Sequence, residues 1–270
     1  MMRNEEKRAP ASKKARIYFA RTYRHLHLNA LESALYLLLF LVPAMVLVFF
    51  FYDELTAWFC HAAAWLLNMA GAPEAKVTAS VFLPRLGPVY SLELPTVLPG
   101  YGSIPINLVV SLLLLWLVST GRRKGRPLSI YLSIILHLHM MACVFFLLGR
   151  DYFPYTTADY ADLYIKQEVG IWIMFLLLMG LIMGVLGTGN IIRRILTVGC
   201  VMIYSVAFGV VRYALFLTIL TRASVLYMPI MFFALGPVFD FLYFVAFYAM
   251  STNRMIRTFD SKQKGEWAWA

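Results

Sequence analysis

Arg212 and Asp240 are charged residues inside two long apolar runs, 195–220 and 225–250. A charge at membrane depth is unfavourable, so such a residue faces the protein interior or a polar cavity and marks a candidate functional site. On an antiparallel helix pair, Arg212 would lie roughly 13 Å and Asp240 roughly 20 Å below the outer end. A long arginine side chain partly closes that gap. Two interpretations stay open: a structural ion pair between Arg212 and Asp240, and a substrate-facing role for Arg212.

Glu168 and Asp151 are carboxylates near the predicted outer surface, where either is a candidate acid or base. Carboxylates at outer helix ends are usually solvated, however. The sequence offers no recognisable Ser-His-Asp set, HExxH motif or pair of catalytic carboxylates. Glu168, Arg212 and Ser103 therefore remain the candidate catalytic residues, and a water-facing pocket between Glu168, Arg212 and an outer hairpin is an open alternative.

The cysteines and histidines do not predict a metal site. The three cysteines are far apart and show no CxxC or Cys/His spacing (Cys60, Cys143 and Cys200). His137 and His139 are two residues apart, so on a helix they point roughly 200° from each other and cannot bind one metal together. We expect neither a metal nor a cofactor.

The elements that position these residues follow from composition. The 270 residues are 61% hydrophobic and 14% charged, whereas ordinary soluble domains are about 45–50% apolar and about 25% charged. This excludes a soluble globular domain and predicts an all-α polytopic membrane protein. Six apolar runs are long enough to be transmembrane helices: 34–52, 104–119, 128–148, 169–186, 195–220 and 225–250. Gly236-Pro237 should kink the last one.

Lysine and arginine predict the orientation of the six spans. With both termini in the cytoplasm, eighteen of these residues lie on the cytoplasmic side and five on the outer side. The net charge of +10 is therefore a topology signal, and no nucleic-acid partner is expected. The chain divides into a basic cytoplasmic tail (1–30), a membrane domain in contact with the lipid bilayer (31–252) and a second basic tail (253–270).

Two outer segments, 53–100 and 149–168, are long enough to form a small external cap. Residues 54–71 have apolar positions at helical spacing, which predicts an amphipathic helix at the membrane interface. The runs 77–83 and 89–94 predict a short β-hairpin. The loop 150–168 is acidic and rich in tyrosine, which suits a surface that faces solvent or a protein partner.

Gly180 and Gly184 form a GxxxG spacing in the fourth span. This spacing lets two helix backbones approach closely. Packing within the bundle is the favoured interpretation, and a dimer interface is the alternative.

The order of these elements resembles the exosortase/archaeosortase family. The resemblance rests on the run Trp65-Leu66-Leu67-Asn68-Met69-Ala70-Gly71, the strand pair after it, and the motifs Gly100-Tyr101-Gly102-Ser103-Ile104 and Gly209-Val210-Val211-Arg212-Tyr213. It implies that Arg212 matches the family's essential arginine. The family's nucleophilic cysteine is missing at Tyr101-Gly102-Ser103, so the resemblance implies a non-catalytic relative, or a changed chemistry in which Ser103 replaces the thiol.

The resemblance implies a cell-envelope context, because family members handle surface-protein sorting alongside exopolysaccharide production. The leading hypothesis is a non-catalytic multi-pass component of the bacterial inner membrane, engaged in exopolysaccharide or surface-protein assembly. It would act through a protein partner bound at the loop 150–168. The alternatives are an exosortase-like intramembrane enzyme that uses Arg212, and a small transporter with a midplane site at Arg212 and Asp240.

Overall fold

The computed structural model describes residues 30–83, 87–120, 127–185 and 191–262, with the side chains of residue 30 and of 254–262 left undescribed. Most of the two predicted basic tails and the basic segment 121–126 lie outside the described residues. The turn between the two predicted strands, 84–86, also lies outside them. The fold below concerns the described part of the chain.

Six helical segments are long and apolar enough to cross a membrane, which confirms the predicted number: Leu31–Met69, Ser103–Thr120, Pro127–Tyr152, Thr157–Val185, Ile191–Arg222 and Val225–Asn253. Their α-helices are α1 (Ala30–Tyr36), α2 (Val42–Met69), α3 (Ser103–Thr120), α4 (Pro127–Gly149), α5 (Thr157–Val185), α6 (Ile191–Arg222) and α7 (Gly236–Lys262). Two π-helical segments, Leu37–Leu41 and Ile230–Leu235, precede α2 and α7. Short 3-10 turns cover Arg150–Tyr152 and Val225–Tyr227.

The predicted amphipathic helix is present, but it is not a separate element. Residues 54–69 continue the first span within α2, so our expectation of a distinct interfacial helix is corrected. Asp53-Glu54 are polar but do not break a helix, and no glycine or proline follows until Gly71, which has φ of 64° and ends the helix. One face of this extension is buried, and Trp58 and Trp65 are exposed on the rest of its surface.

The predicted β-hairpin is confirmed. Strands β1 (Lys76–Leu83) and β2 (Gly87–Glu93) pair antiparallel, with Val77 opposite Leu92 and Ser80 opposite Val89. Side chains alternate across a strand, so Val89 and Ser91 share one face of β2 and Leu92 lies on the other. All three are buried, with Val89 and Leu92 in the core. The hairpin is therefore packed onto the helix bundle at one end, called the hairpin end below.

Helix α5 begins twelve residues before the apolar run that predicts it, at Thr157 instead of residue 169. A reciprocal capping box sets this start: Thr156 Oγ1 accepts a hydrogen bond from Asp159 N at 3.1 Å, and Asp159 Oδ2 accepts one from Thr156 N at 2.8 Å. The expectation of a loop over 150–168 is therefore corrected, because residues 157–168 are helical. These residues form three helical turns whose inner face, including Tyr160 and Ile165, is buried.

The core of the bundle lies between α2, α5, α6 and β2. Phe59 of α2 packs against Trp172 of α5 and Tyr213 of α6, with ring centroids 5.7 and 5.6 Å apart. The hydroxyl of Tyr213 accepts a hydrogen bond from Leu92 N at 3.1 Å, which ties the hairpin to α6. Helices α3 and α4 pack mainly against each other and leave most of their apolar surface exposed.

Candidate functional site: a buried Glu-Arg-Asp cluster

Three helices bring charged side chains together in the interior of the bundle: Glu168 from α5, Arg212 from α6 and Asp240 from α7. Glu168 lies eleven residues after the start of α5, and Arg212 lies ten residues before the end of α6. Because both helix ends are at the hairpin end, both residues are about 15 to 17 Å from it. Antiparallel neighbours thus place the two side chains at the same depth.

The guanidinium of Arg212 is held by protein atoms on every side. Nε donates to the hydroxyl of Tyr164 at 2.5 Å, and Nη1 donates to Asp240 Oδ1 at 2.8 Å and to the carbonyl of Gly236 at 2.9 Å. Nη2 donates to Glu168 Oε1. Only 3% of Arg212 is exposed. Four of its five N–H groups are therefore engaged within the protein.

Gly236 and Pro237 shape the backbone that meets Arg212. Gly236 N–H donates to the carbonyl of Met231 in π-helical register, and a Cβ on Gly236 would lie 3.2 Å from that oxygen. Pro237 has no N–H and removes one more helical hydrogen bond. The dipeptide predicted to kink the last span thus lies where the helix changes from π to α, and the carbonyl of Gly236 accepts from Arg212 there.

Each carboxylate of the cluster uses one oxygen to bind Arg212. The other oxygens, Glu168 Oε2 and Asp240 Oδ2, are buried and have no hydrogen-bond partner among the described residues. Glu168 Oε2 faces Gly209, where an added Cβ would lie 3.3 Å from this oxygen and 3.2 Å from Phe59 Cε2. A glycine at 209 therefore leaves room for the Glu168 carboxylate.

Aromatic rings close the space around the cluster. The guanidinium carbon of Arg212 lies 5.3 Å from the ring centre of Tyr164 and 5.7 Å from that of Phe208. Tyr243 of α7 shares a hydrogen bond of 2.8 Å with Ser205 of α6. These rings and hydroxyls pack around the cluster inside the bundle.

The structure places the predicted site residues in three separate locations. Arg212 and Asp240 lie together, as a structural ion pair would require, and Glu168 joins them. Glu168 is 1% exposed, so the expectation of a solvated carboxylate near the outer surface is corrected. Ser103 is exposed at the start of α3, where its hydroxyl donates to Gly100 O at 2.8 Å.

Gly180 and Gly184 lie against the first helical segment of the same chain. An added Cβ on Gly184 would lie 2.8 Å from Cδ1 of Tyr36, and one on Gly180 would collide with the side chain of Leu41. The GxxxG spacing thus serves the close approach of α5 to residues 36–41 within one chain.

Tyr164 and Glu168 are the cluster residues that the sequence reasoning misplaced. The signal for them is the Thr156-x-x-Asp159 capping box, which starts α5 three turns earlier than hydropathy does. Counting helical positions from Thr157 places Tyr164 and Glu168 one turn apart on a single face.

The cluster does not have the composition of a metal site. Within the described ranges, no group of three or more His, Cys, Asp or Glu side chains is arranged to hold a metal ion. A cavity of about 660 Å³ lies elsewhere, between α3 and α4, and its lining includes Ser119, Ser129, Ser133 and His137.

Comparison of the chain with protein-family models, with curated proteins and with solved structures finds no match. The resemblance to the exosortase/archaeosortase family therefore stays a prediction from the sequence.

Proposed function

We propose that this protein is a non-catalytic, multi-pass component of a bacterial cell-envelope pathway. It would lie in the inner membrane with both termini in the cytoplasm and act through protein partners in exopolysaccharide or surface-protein assembly. The observation that supports a non-catalytic role is that the guanidinium of Arg212 is bound by other groups of the protein. A guanidinium that donates to Tyr164, Gly236, Asp240 and Glu168 would have to abandon protein ligands in order to bind a substrate.

The surroundings of Ser103 support the same proposal. A serine hydroxyl needs a neighbouring base to become a nucleophile. The hydroxyl of Ser103 donates to a backbone carbonyl, and none of the cluster residues shares a hydrogen bond with it. An enzyme built on Ser103 and Arg212 would have to bring together groups that are apart in this structure.

The partner surface that we propose is a patch at the hairpin end, consisting of Tyr101, Arg150, Asp151, Tyr152 and Tyr155. Tyr152 is 85% exposed, Tyr101 61% and Tyr155 53%. The guanidinium carbon of Arg150 lies 4.6 Å from the ring centre of Tyr101. Tyrosine and arginine side chains are enriched in protein interfaces.

The test is affinity purification in mild detergent, followed by identification of the proteins that copurify. We expect an envelope-assembly protein to copurify with the wild type and to be lost from a Tyr152→Ala/Tyr155→Ala variant. Trp65→Ala is the matched control, because Trp65 is 62% exposed on the α2 extension, outside the patch. Point variants are required, since deletion of 150–168 would remove buried turns of α5.

Purification of a lone protein, together with intact envelope assembly in cells that carry the double variant, would contradict the proposal. The exosortase-like alternative predicts instead that Arg212→Lys abolishes turnover of a surface-protein substrate while the protein stays folded, because an ammonium does not replace the guanidinium fork.

One observation favours the transporter alternative. The π-helical segment Ile230–Leu235 interrupts the last span next to Asp240 and Arg212, and transporters bind substrates and ions at interrupted helices near the membrane midplane. This alternative predicts substrate-dependent flux in proteoliposomes that Asp240→Asn abolishes. Absence of flux for the wild type would remove it.

A further inference from the structure

The charges of the buried cluster do not balance. Arg212 contributes one positive charge and stays protonated in proteins, whereas Glu168 and Asp240 would contribute two negative charges if both were ionised. The other titratable side chains that face the cluster are neutral hydroxyls: Tyr160 and Tyr164 of α5 and Tyr243 of α7. Helix α2 presents the apolar ring of Phe59 there.

Lys166, which is close to Glu168 in the sequence of α5, does not supply the missing positive charge. Lys166 pairs with Asp162 at 2.6 Å, and both side chains are 24% exposed. Fully ionised carboxylates would thus leave one uncompensated negative charge at membrane depth. Such a charge is strongly unfavourable, and buried carboxylates usually avoid it by taking up a proton.

The carboxylate geometry provides a place for that proton. Glu168 turns Oε1 to Arg212 and leaves Oε2 buried without a described partner. Oε2 lies beside Phe59 and the backbone of Gly209, surroundings that solvate a neutral acid better than an anion. Asp240 also leaves one oxygen, Oδ2, without a described partner, and a tyrosine hydroxyl lies beside each carboxylate. Glu168 is the more deeply buried of the two, with 1% of its side chain exposed against 5% for Asp240.

We propose that the cluster is a proton-binding site, in which Glu168 carries one proton on Oε2 at neutral pH while Asp240 and Arg212 stay ionised. The cluster is then electrically neutral. A bound metal cation is the less suitable way to balance the charge, because the guanidinium would repel it and the described residues offer only two carboxylates.

The test is infrared spectroscopy of the intact protein in lipid nanodiscs at neutral pH, in H₂O and in D₂O. The expected result is a carbonyl band of a protonated carboxylic acid that shifts in D₂O. Carboxyl-¹³C-labelled glutamate should shift this band in the wild type, and labelled aspartate should not. This measurement needs no variant and therefore does not depend on the folding of one.

Two variants then assign the band to a residue. Glu168→Gln should remove it, and Glu74→Gln should leave it, because Glu74 is exposed and lies outside the buried cluster. Absence of a protonated-carboxyl band in the wild type would overturn the proposal. A band that shifts with labelled aspartate, or that disappears when sodium or potassium is added, would overturn it as well.

Thermal stability gives a second readout. Glutamine imitates a protonated glutamate, so Glu168→Gln should lower the melting temperature less than Asp240→Asn, which leaves the guanidinium without its ionised partner. Equal losses for the two variants would mean that both carboxylates are ionised and would contradict the proposal.

Discussion

Helices α3 and α5 have nearly the same hydropathy but different surroundings. Their most apolar windows have mean hydropathies of 2.0 and 2.2, yet 11% of the α3 window is buried in the protein and 56% of the α5 window. Hydropathy measures the preference for leaving water, and lipid tails satisfy it as well as protein side chains do. What separates the two helices is the set of residues that α5 presents to its neighbours, including Gly180, Gly184, Trp172 and Glu168.

Removal of the positive charge of Arg212 should cause the largest loss of stability among the variants considered. Arg212→Met leaves two buried carboxylates without their shared partner, and we expect a loss of about 3–5 kcal/mol in the free energy of unfolding. The loss is measured by denaturation in mixed micelles. Arg193→Met is the control, because Arg193 is exposed on the same helix and should change stability by less than about 0.5 kcal/mol. Equal stability of the two variants would show that the cluster does not hold the helices together.

A pair of leucine truncations compares a buried position in the core with an exposed position on α3. Leu217 of α6 is fully buried, whereas Leu113 of α3 is 56% exposed. Leu217→Ala should reduce the free energy of unfolding by about 2–5 kcal/mol, because it opens a cavity in the core. Leu113→Ala shortens an exposed side chain, opens no cavity in the core and should change the free energy of unfolding little. A large effect at Leu113 would indicate that another protein surface covers α3.

The glycines of α5 offer a matched pair on a single helix. A Cβ at Gly184 would lie 2.8 Å from Tyr36 Cδ1, whereas one at Gly170 would meet nothing within 4 Å. Gly184→Ala should therefore destabilise the protein by about 1–3 kcal/mol. Gly170→Ala should leave stability unchanged or raise it, since alanine favours the helix. Thermal melts of the two purified variants distinguish these outcomes, and two similar melts would rule out tight packing of α5 against the first helix.

The elements that were predictable from sequence are those set by hydropathy and turns. The six apolar segments and the hairpin follow from run length, from alternation and from the prolines and glycines around them. The continuous helix through Asp53 and the early start of α5 were missed because apolar runs mark the part of a helix that suits lipid, not its ends. Glu168 was misplaced for the same reason.

Some residues of the cluster were predictable from sequence and others were not. Arg212 and Asp240 are conspicuous as charges within apolar runs, and the structure places them 2.8 Å apart. Tyr164 and the carbonyl of Gly236 do not stand out, because their roles depend on helix rotation and on the π-helical segment. Those features arise from packing between segments that are distant in sequence.

Removal of the N-terminal cap of α5 should have the smallest effect on stability. Thr156 and Asp159 cap this helix through two reciprocal hydrogen bonds, of 3.1 and 2.8 Å, and Thr156→Ala should destabilise it by about 1 kcal/mol. Amide hydrogen exchange should then speed up over residues 157–160 and stay unchanged at Glu168, three turns further along, which is held by Arg212. Thr120→Ala is the control, because Thr120 bonds within the last turn of α3. Faster exchange through Glu168 would mean that the first turns of α5 depend on their cap more than on the buried cluster.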